Sequence, residues 1–188
     1  MTQVHRWRAF AVLAVSFFMT VADLAIVNVA LPTIGRDLHM AESSLQWVVT
    51  GYALTFGGFL LLGGRAADLL GARRIFVAGL VLFGVTSLAG GLAGSPGLLI
   101  AARAVQGLGG AMLSPAALSI LTVTFEHGRR RNIAMGIWGG LAGLGGTLGV
   151  VAGGVLVDSF SWRWVFIVNV PIVVGLVIAA PLDRKSVV

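Results

Sequence analysis

Apolar residues run along the chain in six long blocks, at about 9–31, 45–63, 75–94, 97–119, 133–157 and 164–182, and the polar residues crowd into the short stretches between them. A helix needs about 20 apolar residues to cross the hydrocarbon layer of a bilayer. Strand edges left open to lipid would strand their backbone N–H and C=O groups, so blocks of this kind predict helices. The expected fold is an all-α membrane protein, a compact bundle of six transmembrane helices. Residues 1–8 form a short N-terminus, 9–182 the six-span unit and 183–188 a C-terminal tail. Ser95-Pro96-Gly97 predicts a tight turn between the third and fourth blocks, and the fourth block can run on past Pro115 towards Phe125.

Composition supports lipid as the solvent. Of 188 residues 57% are hydrophobic and 11% charged, against about 25% charged in a soluble domain. Net charge is +6, but the basic residues fall between apolar blocks and form no stripe, which excludes nucleic acid as a partner. Cys is absent, so disulfides and thiolate metal sites are excluded too. Arg6 and Arg8 before an apolar run imitate a secretory signal, yet the run of about 23 residues is too long for one and reads as an uncleaved first span.

The basic residues also set the orientation. Arg6, Arg8, Arg65, Arg73, Arg74, Arg129, Arg130, Arg131, Arg184 and Lys185 fall on one side of six alternating spans, and only Arg36 and Arg163 on the other. By the positive-inside rule both termini are cytoplasmic, and a multi-pass location in the plasma (inner) membrane follows. Trp47, Trp162 and Trp164 lie near the outer span ends, where indole rings anchor at the interface.

Two ionisable residues lie deep inside apolar blocks. Asp23 is roughly 12 Å and Arg103 roughly 9 Å from the outer ends of their spans at 1.5 Å per residue, so they share a depth. Each costs on the order of 3 kcal/mol or more there, which makes a cavity or a partner the expectation. In one reading they line a polar cavity, with Arg103 holding Asp23 ionised when close and releasing it to bind a proton when apart. In the other they are a fixed structural ion pair. Asn28 either joins the same lining or bridges two helices. His5, His39 and His127 lie in terminal or loop regions without metal-ligand spacing, so no metal and no cofactor are expected. Glu126 beside Arg129–Arg131 reads as a cytoplasmic salt-bridge participant.

Glycine is arranged as well as abundant. Gly145, Gly149 and Gly153 recur every four residues, joined by Gly146 and Gly154, which strips one helix face and lets a neighbour approach. The stretch GGRAADLLGARR, 63–74, places Arg65, Asp68, Arg73 and Arg74 in twelve residues of an otherwise oily chain, with Gly71 suited to a sharp turn.

GGRAADLLGARR resembles the loop between spans 2 and 3 of the major facilitator superfamily, with Gly64, Asp68, Gly71, Arg73 and Arg74 on the pattern and Leu69 at a position usually basic. LIAARAVQGLGGA, 99–111, resembles the family's span-4 motif and carries Arg103, Gln106 and Gly107. GTLGVVAGG, 146–154, resembles its span-5 antiporter motif, with Val150 at the proline position. DLAIVNVALP, 23–32, with Ala25 at a position often hydroxylic, and SWRWVFIVNVPI, 161–172, are similar to the drug:proton antiporter branch with fourteen spans.

The resemblance covers nearly the whole chain and implies the N-terminal six-span half of a transporter. It implies proton coupling for Arg103, with Gln106 in the same motif, and proton or substrate handling for Asp23, beside the cavity role read above for Asn28. It gives Asp68 a latch on the second half, and Gly145, Gly149, Gly153 and Gly154 a part in shaping the contact between halves. Its partners would be the bilayer, protons, a small amphipathic substrate and a C-terminal half, with a proton gradient as the driving force. Because family members carry twelve or fourteen spans, the chain reads as a truncated half. A non-transporting membrane remnant or scaffold is the competing reading. An intramembrane enzyme lacks support, since no His lies within a span and no H-E-x-x-H motif occurs.

Overall fold

The computed structural model describes residues 3–125 and 128–180. Every element among them is a helix: α1 Gln3–Asp37, α2 Glu42–Leu70, α3 Ala72–Gly91, α4 Pro96–Thr124, α5 Arg129–Ser159, α6 Trp164–Ile167 and α7 Asn169–Ala179. Glu126, His127, Arg184, Lys185, the end of the sixth block at 181–182 and the tail 183–188 lie outside the described residues. Five of the helices are long and apolar enough to cross a membrane, and α6 with α7 makes a shorter apolar sixth, Trp164–Ala179.

Both α1 and α4 outrun their apolar blocks at the C-terminal end. α1 continues beyond Leu31 through Pro32 to Asp37, and α4 passes Pro115 to reach Thr124. Ser95-Pro96-Gly97 is not a turn, as the sequence led us to expect, but the start of α4. The Ser95 hydroxyl accepts the Leu98 N–H at 3.4 Å, and Pro96 sits in the first turn, where its missing N–H costs nothing. The sixth block breaks at Val168 because Pro171 cannot donate to the Ile167 carbonyl and its ring crowds that turn.

Small residues decide how the helices associate. α4 lies between α2 and α3, α1 pairs with α5, and α6 and α7 lie on α3. Pro115 leaves the Ala111 carbonyl without its helical donor, and α2 meets that carbonyl at Gly63, where a Cβ would collide with it. Gly107 is as confined, between Tyr52 and Thr55, and the Thr55 hydroxyl donates across to the Ala104 carbonyl at 2.7 Å. On the other side Gly84 takes Val173, and Gly90 takes Phe166. Large apolar side chains such as Leu61, Leu62, Val123 and Val151 point outwards, as a chain dissolved in lipid requires.

The span-5 glycines divide. Added Cβ atoms at Gly145, Gly149 and Gly153 would meet α1 at Val21, Ala25 and Ile26 at 2.8–3.1 Å, so the ladder is filled by a helix of the same unit. Gly154 faces open space and takes no part in that close approach.

Candidate functional site: a buried polar knot around Asp23

Among the described residues a knot of polar side chains lies inside the spans, and four helices contribute to it. Asp23 of α1, Ser87 of α3, Arg103 and Gln106 of α4 and Asn169 of α7 are each at most 3% exposed. Arg103 Nη1 meets Asp23 Oδ2 at 2.5 Å and Gln106 Oε1 at 2.8 Å, and Arg103 Nε donates to the Val48 carbonyl of α2 at 3.1 Å. The shared depth inferred from the sequence therefore becomes direct contact. Asp23 Oδ1 accepts Gln106 Nε2 at 3.2 Å and Asn169 Nδ2 at 2.9 Å. Both amides also reach Ser87 Oγ, which donates its own proton to the Phe166 carbonyl at 2.9 Å.

The carboxylate thus has donors on both oxygens, and the guanidinium is spread over three acceptors. The planar guanidinium suits this, since its donors sit in a fixed fork on separate nitrogens rather than on one compact ammonium. The Arg103 guanidinium lies 4.3 Å from the centre of the Tyr52 ring, which covers it from α2. Arg103 Nη2 and the Tyr52 hydroxyl are buried without a hydrogen-bond partner among the described residues. A charged pair carried this deep depends on converging hydrogen bonds to offset its desolvation.

Several expectations are corrected here. Asn28 neither joins the knot nor bridges helices: it is exposed and its Nδ2 donates to the Leu24 carbonyl of its own helix at 2.7 Å. Trp162 is not an interfacial anchor. It is fully buried, donates Nε1 to Asp37 Oδ2 at 2.9 Å, and stacks beneath Arg163, which ties the Gly91 and Ala93 carbonyls. Trp47, in the first turns of α2, and Trp164, at the start of α6, are exposed. Asn169, Ser87 and Tyr52 went unmarked in the sequence. Asn169 had a signal, an amide inside an apolar block two residues before Pro171; Ser87 had none, because a hydroxyl in a helix ordinarily bonds its own backbone.

The 63–74 stretch is barely a loop. Gly71 alone separates α2 from α3, at φ +95° and ψ 124°, where a side chain would be strained. Asp68 is exposed in the last turn of α2 and has no hydrogen bond or ion pair among the described residues. Arg73, half-buried in the first turn of α3, donates to the Ala180 carbonyl at 2.9 Å, while Arg74 is exposed and Gly64 makes ordinary contact with Pro115. An anion at a helix C-terminus and cations at an N-terminus oppose both helix dipoles. Local helix stability therefore does not explain these charges.

Among the described residues no group of His, Asp and Glu is placed to hold a metal ion. The sequence pattern of the Major Facilitator Superfamily matches residues 13–186. The chain is similar to the puromycin resistance protein pur8 of Streptomyces alboniger, 44% identical over 97% of this chain and 37% of that protein. It is 49% identical to the cephamycin export protein CmcT of Amycolatopsis lactamdurans over 87% of this chain and 34% of the relative. With the lincomycin resistance protein of Streptomyces lincolnensis it shares 41% identity over 96% of this chain and 37% of the relative. The chain thus spans about a third of the length of these relatives. Among solved structures it superposes on a crystal structure of the peptide transporter POT (E310Q mutant, with sulfate) at a TM-score of 0.82 and 18% identity. That match covers 95% of this chain and 38% of the transporter, and it shows the fold. On its helices, its motifs and these relatives, the chain belongs to the Major Facilitator Superfamily.

Proposed function

We propose that the chain is the N-terminal, proton-handling half of a proton-coupled exporter of small amphipathic drugs or metabolites, in the drug:proton antiporter branch. It would lie in the inner membrane with both termini cytoplasmic. The observation that carries this reading is the buried Asp23–Arg103 pair, enclosed by the Gln106 amide of α4 and the Asn169 amide of α7 in an otherwise oily bundle. Relatives named for antibiotic resistance and export support an exporter of small drug-like molecules. A partner half is supported by α2 and α5, whose most apolar stretches are only 17% buried, against 50% or more in α1, α3 and α4. Alternating access in this family rocks one half against the other around a central site.

The test supplies a C-terminal six-span half and measures proton release on addition of substrate to proteoliposomes. Wild type is expected to release protons; Asp23→Asn is expected to insert normally and to lose the coupling. Unchanged coupling in Asp23→Asn sinks the proton role. Substrate hydrolysis without a gradient would point to an enzyme, and neither signal to a non-transporting remnant.

A further inference from the structure

Among the described residues, every hydrogen-bond partner of the Asp23 carboxylate is an N–H donor: Arg103 Nη1, Gln106 Nε2 and Asn169 Nδ2. That arrangement suits an ionised Asp23 and gives a protonated one nowhere to send its O–H. A buried hydroxyl without an acceptor is costly, so a carboxyl that gains a proton here needs a neighbour to become an acceptor. Turning the Gln106 amide to present its oxygen to Asp23 would take Oε1 off Arg103 Nη1, which it holds at 2.8 Å. Ser87 Oγ takes two amide donors and does not touch Asp23. Asn169 differs: its Nδ2 makes both of its bonds, and its amide oxygen takes no hydrogen bond among the described residues.

The nitrogen is correctly placed towards the knot in this state. The reverse orientation would set the amide oxygen against a carboxylate oxygen and against a hydroxyl whose proton is committed to Phe166. There is also space for the amide to turn. Asn169 lines a groove of about 190 Å³ between α1, α5 and the α6–α7 break, beside Met19, Ala22, Gly149 and Val168. The break at Val168 puts Asn169 at the first residue of α7.

We propose that Asn169 is the positioning residue of the proton site, resting on the proton-handling reading above. Its amide turns when Asp23 takes up a proton, exchanging N–H donation for acceptance of the new O–H. The proton comes from the aqueous phase onto Oδ1. Oδ1–H then donates to the Asn169 amide oxygen, Nδ2 leaves Ser87, and Arg103 keeps Gln106 and Val48. The ionisable groups facing Asp23 are Arg103 of α4 and, beneath it, Tyr52 of α2; α3 and α7 offer the neutral Ser87 and Asn169, and α5 contributes only the apolar ladder contacts.

Infrared difference spectroscopy of the chain in lipid nanodiscs, recorded on acidification, tests this without a second half. The C=O band of protonated Asp23 is the one lost in Asp23→Asn. It is expected at the low frequency of a carboxyl that donates a strong hydrogen bond. Asn169→Leu is expected to move it to higher frequency, and Asn169→Thr, whose hydroxyl can donate or accept, to return it. In wild type with isotope-labelled asparagine, the amide C=O band lost in Asn169→Thr is expected to shift to lower frequency together with the carboxyl band. A carboxyl band unmoved by Asn169→Leu, or a stationary amide band in wild type, overturns the role of Asn169 and leaves the proton role of Asp23 standing. The amide measurement decides the matter even if the Leu variant does not fold. Absence of any Asp23 band while the helices persist overturns both.

Discussion

At the scale of single residues, Asp23 and Arg103 are held by geometry that neither could obtain alone. Arg103 satisfies a carboxylate, an amide oxygen and a backbone carbonyl on three different helices. Removing one member leaves the other as an uncompensated buried charge, which is more costly than never having had the pair. Arg103→Leu is therefore expected to destabilise the unit by about 3–5 kcal/mol, read from the loss of helical circular dichroism in a denaturing-detergent titration. Combining it with Asp23→Asn is expected to cost clearly less than the sum of the two single changes, because the pair is coupled. Additive costs would show that the two side chains do not stabilise one another. Much of this site was legible in the chain: ionisable residues at matching depth in oily blocks announce one another. Asn169 was harder, because an amide in a span serves equally to bridge two helices.

Between elements, glycine sets the distance of approach. α1 and α5 come together because Gly145, Gly149 and Gly153 present backbone where other residues present side chains. At Gly149 a Cβ would lie 2.8 Å from the Ala25 Cβ and 2.9 Å from the Ala22 carbonyl oxygen, and neither can yield without moving α1. Gly149→Val is expected to cost about 1–3 kcal/mol through overpacking. Since α1 also carries Asp23, the same change should disturb proton coupling. Gly154→Val meets open space and is expected to stay within about 0.5 kcal/mol of wild type. Parallel detergent titrations of the two variants check both; equal losses would mean the ladder does not set the α1–α5 distance. A four-residue glycine spacing identifies a bare face, but not the helix that fills it. Here that helix is α1 of the same unit, and the chosen face leaves Gly154 outside.

For the whole molecule, the open question is what meets the charges around Gly71. Asp68 stands exposed at the end of α2, against its helix dipole, while Arg73 and Arg74 begin α3 against theirs. Such charges gain from a partner outside the described residues, and we propose the second half as that partner. Asp68→Asn is expected to leave membrane insertion and the detergent titration unchanged. It should slow substrate export by about tenfold or more once a C-terminal half is supplied, since a charge-assisted hydrogen bond contributes ~1.5–3 kcal/mol. Full export activity in that variant would refute the latch.

The sequence by itself determined the solvent, the helical class, the family and the depth at which charge is buried. These follow from block length, composition and short motifs, all of which act along the chain or against lipid. It also marked Gly71 as the turning point, because a positive φ is a local demand. Only the tertiary structure decided which groups share a space. It drew Asn169 and Ser87 to Asp23 across 146 and 64 residues of chain, turned Asn28 outwards, and buried Trp162 under Arg163. Those outcomes depend on which face each helix presents and how closely glycine lets it approach. Hydropathy along one helix carries no information about the face of another, so only the packed bundle settles them.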